Sequence, residues 1–298
     1  MDLVTNCAAL LKQQSNWGYH ASGARASEPT ALACLALLAH AERETALQMA
    51  RWLSETQIAC GSVGVSKKHE MPAWTTSLAC LAWRAMEQAS GTTEFGDSLK
   101  RATAWILSVQ GRTLPRNPQI GHDPTILGWS WAADTHSWME PTCLAVLALR
   151  ALGQEHHSRT TEGVRMINDR LLEGGGCNFG STVILGQATL PQMQATGLSM
   201  LALADTSTKD ARIGKSLDYL ERELSEKNAT ASFCYGLLGL TAHDRRPAQA
   251  EQQLNAIFER EVQKGPSCHK LALLLLASCP DRSWLPQIGK SPATHRSR

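Results

Sequence analysis

Between Gly128 and Gly153 the chain reads GWSWAADTHSWMEPTCLAVLALRALG, which sets three tryptophans, an aspartate, a histidine and a glutamate ahead of an apolar run. Asp134 and His136 are two residues apart, a spacing that places both side chains on one side of an extended loop. A general acid with a hydrogen-bonding partner needs such a pair. The competing reading is a surface turn closed by an Asx-type hydrogen bond. Trp131 and Trp138 flank the pair and offer faces for the wall of a ligand site. Glu140 begins Glu-Pro-Thr, a triplet that also starts at Glu28. Acid, proline and threonine in that order are how many helices begin, so the two copies read first as scaffold.

The rest of the composition sets bounds. A chain of 298 residues, 43% hydrophobic and 19% charged, has the balance of an ordinary globular protein. A net charge of +2, with no dense Lys/Arg stretch, argues against a nucleic-acid surface. Nine cysteines at irregular spacing, without a Cys-x-x-Cys pair, do not form a disulfide or Cys-rich zinc pattern. Cys34, Cys80 and Cys234 sit inside apolar runs, where a reduced cysteine behaves as a small hydrophobe. The opening MDLVTNCAALLKQQSNW lacks the basic and apolar regions of a signal peptide. The longest apolar run, LALLLLA at 271–277, is too short to span a bilayer. A reducing, cytoplasmic setting is therefore expected.

The elements that must position these residues are repeated. TALACLALLA (30–39), TSLACLAWRA (76–85), TCLAVLALRA (142–151) and TGLSMLALAD (196–205) align without gaps, and weaker copies follow at 233–242 and 268–277. Each is apolar nearly all round, as a buried helix is. Ahead of them lie amphipathic segments, QMARWLSETQ (48–57), RATAWILSVQ (101–110) and KSLDYLEREL (215–224). From Trp17 to Thr30, Val63 to Thr76 and Trp129 to Thr142 the spacing is thirteen each time. The pattern predicts an all-α fold of about six helical hairpins, inner helices shielded by outer ones, in one domain over 1–288 with a disordered tail at 289–298. All-round apolar inner helices favour a closed ring over an open solenoid. The insertions at 111–127 and 181–192 both fall between an outer and an inner helix, which marks that side as the functional face.

RATAWILSVQ fits the first half of the QW motif, and QMARWLSETQIACGSV extends it to the glycine, with Val63 at the tryptophan position. On these residues the chain resembles the α/α-toroid superfamily of squalene–hopene cyclases and protein prenyltransferase β subunits, over most of 1–280. The resemblance implies parallel inner helices whose N-termini meet at one mouth of a central apolar cavity. The rim of that mouth would carry Tyr19, His20, Arg25, Glu28, Lys67, Lys68, His69, Glu70, His122, Asp123, Asp134, His136 and Glu140.

By this resemblance the ligand is an apolar, isoprenoid-like molecule, met by Trp131, Trp138, Trp129, Tyr19, His20, Arg25 and Glu140. Catalysis, if present, is acid-initiated cyclisation with Asp134 as acid and His136 as its partner. The family's Asp-x-Asp-Asp acid motif is absent, and aromatics make up only 5% of the chain. A prenyltransferase-like alternative would need zinc, for which Cys234, Cys268 and His269 are the available ligands. No zinc or magnesium motif occurs, so no cofactor is expected. The remaining alternatives are a non-catalytic isoprenoid-binding protein and a toroid that binds a partner subunit, with peripheral membrane contact open to either.

Overall fold

A computed structural model describes residues 2–286 apart from 21, 70, 72 and 118; the expected tail at 289–298 and Glu70 lie outside the described residues. Among them are twelve helices, α1 (Leu3–Gln13), α2 (Ser27–Ala39), α3 (Arg43–Glu55), α4 (Thr75–Ser90), α5 (Gly96–Ser108), α6 (Met139–Ala151), α7 (Ser158–Asp169), α8 (Met193–Leu203), α9 (Ala211–Glu223), α10 (Thr230–Thr241), α11 (Ala250–Lys264) and α12 (Cys268–Ala277). A two-stranded antiparallel ribbon, β1 (Val183–Ile184) and β2 (Gln187–Ala188), stands between α7 and α8. No described helix is long and apolar enough to cross a membrane.

The even-numbered helices form the inner layer. α2 packs on α4, α4 on α6, α6 on α8, α8 on α10 and α10 on α12, and α12 returns to α2, so the ring closes. The sequence explains the layering. α6, with no polar face, buries all thirteen of its residues, whereas amphipathic α9 buries only Ser216, Leu217 and Leu220. Closure solves the problem of a repeat that cannot bury both faces alone. α1 completes the outer layer by packing on α12 and α11, with the Cys7 thiol on the Leu271 carbonyl.

The thirteen-residue spacing is a hydrogen bond. The Val63 amide donates to Thr76 Oγ1 at 2.9 Å and the Trp129 amide to Thr142 Oγ1 at 3.0 Å, while Thr30 Oγ1 donates to the Trp17 carbonyl at 3.3 Å. The Cys177 amide repeats the bond to Thr196 at 3.0 Å across a longer loop. Each threonine thus ties the turn after an outer helix to the first turn of the next inner one. Gln57, at the end of the first QW-like segment, donates to the Gly61 and Ser98 carbonyls and accepts from Arg101, joining α3 to α5. Gln110, at the end of the second, is exposed.

Mid-helix Leu35, Leu81, Ala145, Leu237 and Leu274 are fully buried, so among the described residues the middle of the ring is packed side chains. Open space lies at the ends of the ring.

Candidate active site at the mouth of the ring

The inner helices start on one face, and their first turns converge there. Glu28 and Glu140 each occupy the second position of their helix, α2 and α6, ahead of a proline that the first turn tolerates. Both are buried, at 7% and 6% exposure. The Tyr19 hydroxyl donates to Glu28 Oε2, and His269 Nε2, from α12, lies 3.5 Å from Glu28 Oε1. The Tyr19 and His269 rings are 5.3 Å apart. Tyr19 is 43% exposed as a residue, but its hydroxyl end is turned inward; burial and the charge of Glu28 push its ionisation up.

Glu140 has a different setting. Burial, reinforced by the charge of Glu28, raises its carboxyl to about 8, against a hydrogen bond with Gln194 of α8 that lowers it. Tyr235 of α10 is 3% exposed, and its hydroxyl has no hydrogen-bond partner among the described residues. Burial raises its ionisation far up, with further contributions from the charges of both Glu28 and Glu140. A buried orphan hydroxyl near two carboxyls is a donor held ready for a bound molecule or water. The site is therefore two carboxyl groups, two phenols, an imidazole and an amide, supplied by α2, α6, α8, α10, α12 and the loop before α2.

The residues singled out from sequence are distributed around this centre. Glu140 and Tyr19 are in it. Asp134 is exposed, in a left-handed turn with φ of 59°, beside exposed Thr135. The burial that an acid needs to keep its proton is found at Glu140, not at Asp134. His136 is also exposed and lines a pocket with Trp138 outside the carboxyl cluster. Trp131 packs edge-on against Trp74 at 4.8 Å. Trp129 is buried, donates to the Ile106 carbonyl and lies under the Arg159 guanidinium at 4.2 Å. Arg25 does the same for Trp17 at 4.1 Å and donates to the Ser15 carbonyl, which makes it a clamp on the turn. His20 is exposed.

The candidate zinc ligands do not assemble. Cys234 and Cys268 are buried, and burial pushes both thiols up, Cys268 to about 12; the Cys268 thiol points at the Pro29 carbonyl while His269 faces Glu28. Among the described residues no group of three or more His, Cys, Asp or Glu side chains is arranged to hold a metal ion.

Sequence reasoning put Glu28 and Glu140 on one rim but missed Gln194, Tyr235 and the pairing of His269 with Glu28. The signal was the repeated Glu-Pro-Thr itself. In a closed ring, repetition of an inner-helix start brings two acids towards one axis.

No family model and no curated protein matches the chain. Solved structures do. A glycosidase aligns with a TM-score of 0.65 at 8% identity, covering 95% of this chain and 97% of that one. Endoglucanase Cel10 of Klebsiella pneumoniae, a family 8 glycosyl hydrolase, aligns with 0.61 at 11% identity over 93% and 99%. The type II terpene cyclase MstE from Scytonema aligns with 0.53 at 14% identity over 87% and 78%. At these identities the likeness is one of fold: the chain is an α/α-toroid, an architecture shared by glycosidases and a terpene cyclase.

Proposed function

We propose that the protein is an acid–base catalyst acting at the mouth of the toroid, and that the bond it cleaves is glycosidic. The observation that carries this reading is a pair of buried carboxyls at the start of two inner helices, Glu28 hydrogen-bonded by the Tyr19 hydroxyl and Glu140 raised to about 8 by burial and the charge of Glu28. Glycoside hydrolysis uses such a division, one carboxyl protonating the departing oxygen and a second serving the other face of the sugar. In this reading Glu140 gives its proton to the leaving group, Glu28 takes one from the attacking water, and the Tyr235 hydroxyl orients the substrate. The glycosidases among the fold neighbours support the substrate class by analogy only.

The test is reducing-end release from soluble gluco-, xylo- and manno-oligosaccharides. Turnover by the native protein is expected to fall by about 10²–10⁴-fold in Glu140→Gln and in Glu28→Gln, the range for loss of a general acid or base. A folded native protein that cleaves none of the three sugar classes sinks the substrate assignment. Equal turnover by Glu140→Gln sinks the acid.

A second reading, an isoprenoid ligand, is favoured by the apolar rim. Tyr19, Val65, Met71, Leu114, Phe179, Ile184, Leu185 and Leu190 are all exposed and all lie in outer-to-inner segments, Leu185 at 97%. A raised carboxyl is a weak donor towards an alkene, which is why this reading stands second. Native mass spectrometry of the freshly purified protein decides it: a co-purified lipid-like mass supports it, and ligand-free protein that also leaves squalene unchanged removes it.

A further inference from the structure

The two long insertions fold against one another beside the mouth. Within the first, the Leu114 amide donates to the Pro124 carbonyl, and the Arg112 amide reaches beyond it to the Thr135 carbonyl. Thr182 of the second meets His122 Nδ1 at 3.4 Å, and a Cβ on Gly121 would lie 2.3 Å from Val183. Between them is a pocket of about 240 Å³. Its charged lining is arginine. Arg112, His122, His136 and Arg170 face it, and among the described residues no Asp or Glu does. Ile120 and Trp138 supply apolar wall.

These side chains differ in their freedom. Arg170 is nearly buried at the base, where it donates to the Gly180 carbonyl at 2.7 Å and meets Asp169 Oδ2 at 3.2 Å. Burial lowers it to about 10, still a cation at neutral pH, and burial beside Arg170 lowers His122 to about 4, so that imidazole is neutral. Arg112 and His136 pair through their backbones, and neither side chain bonds to any described residue. Of the acids nearby, Asp169 is engaged by Arg170, and Asp123 by Arg116 at 2.6 Å and Arg165 at 3.6 Å. An unpaired guanidinium over an apolar wall is unfilled hydrogen-bonding capacity that a carboxylate or phosphate matches in a bidentate way.

We propose that this pocket binds a small anionic ligand with an apolar body, its carboxylate or phosphate held by Arg112 and His136 and its ring or short alkyl part against Trp138 and Ile120. The volume is just under the roughly 300–1,000 Å³ of drug-sized sites, which restricts the occupant to about one ring and its head group. The assignment does not rest on the acid–base reading of Glu140 and stands or falls separately.

Isothermal titration with phenyl phosphate, benzoate and benzyl alcohol tests it on the full chain. Both anions are expected to bind, benzyl alcohol at least about tenfold more weakly, a gap of about 1.4 kcal/mol. Arg112→Gln, at an exposed position, is expected to weaken phenyl phosphate by about tenfold with its thermal midpoint unchanged, whereas Glu140→Gln leaves that affinity alone. A shift of the Trp138 indole N–H resonance on adding phenyl phosphate locates the ligand. Retention on phosphatidylcholine vesicles containing phosphatidate, lost in Arg112→Gln, would make the occupant a lipid headgroup; phenyl phosphate binding without retention would make it a free metabolite. Equal affinity for benzyl alcohol and phenyl phosphate, undiminished affinity in Arg112→Gln, or no binding of either anion overturns the proposal.

Discussion

Glu28 and Glu140 hold the same place in two copies of one repeat, and their surroundings make them chemically different. A helix N-terminus stabilises a nearby carboxylate by about 0.3–1 kcal/mol, less than one pKa unit. At Glu140 that is outweighed by burial and the charge of Glu28, which move it from 4.5 to about 8. Because the folded state holds this proton more tightly than the unfolded chain, the stability it contributes is full below about 4.5 and is lost as pH rises towards 8. Thermal midpoints of the native protein are therefore expected to fall across that interval relative to Glu140→Gln; a constant difference between the two would remove burial as the cause. Tyr235 gives a second residue-scale expectation. Its buried hydroxyl has no partner to lose, so Tyr235→Phe should leave the thermal midpoint level or raise it. A drop equivalent to more than about 1 kcal/mol would mean the hydroxyl is already satisfied. The Glu-Pro-Thr triplets were legible in the sequence, but the coupling between them was not, since it depends on which helices face each other.

The helical hairpin is the unit that sequence periodicity resolves best, because burial repeats with the helix. The spacing of thirteen could be counted from the letters alone, and its cause is a hydrogen bond from a turn amide to a threonine hydroxyl. Thr142→Val keeps the shape and leaves the buried Trp129 amide unbonded, which should cost about 1–3 kcal/mol in chemical denaturation. A loss below a few tenths would show the tie to be incidental. The crossing of α8 and α10 was not legible. A Cβ on Gly197 would sit 2.2 Å from the Tyr235 carbonyl oxygen, and one on Gly239 would sit 2.5 Å from that of Gly197. These two backbones touch, so Gly197→Ala should destabilise by several kcal/mol despite the gain in helix propensity of about 1 kcal/mol. An unchanged midpoint for Gly197→Ala would refute the close crossing.

In the whole molecule, closure distributes stability around the ring. The first helix covers the last inner one, with Gln14 donating to the Pro266 carbonyl at 3.0 Å and Lys12 paired to Glu42. Removing residues 1–13 uncovers the apolar flank of α12 and should lower the urea midpoint while turning one transition into two. Coincident fluorescence and circular dichroism transitions with an unchanged midpoint would show that the ring does not depend on α1.

The letters alone determined the all-α class, the hairpin repeat, the inner and outer roles and the face on which loops grow, because each follows from which residues avoid water and at what period. The resemblance they carry also put Glu140 and Tyr19 at the expected rim. Ring closure decided the rest. It left Asp134 in solvent, set His269 against Glu28, and brought Tyr235 within reach of the charges of Glu28 and Glu140 from helices far apart in the chain. A pKa or a pocket depends on distance through space, and local spacing carries that information only within one turn or one loop.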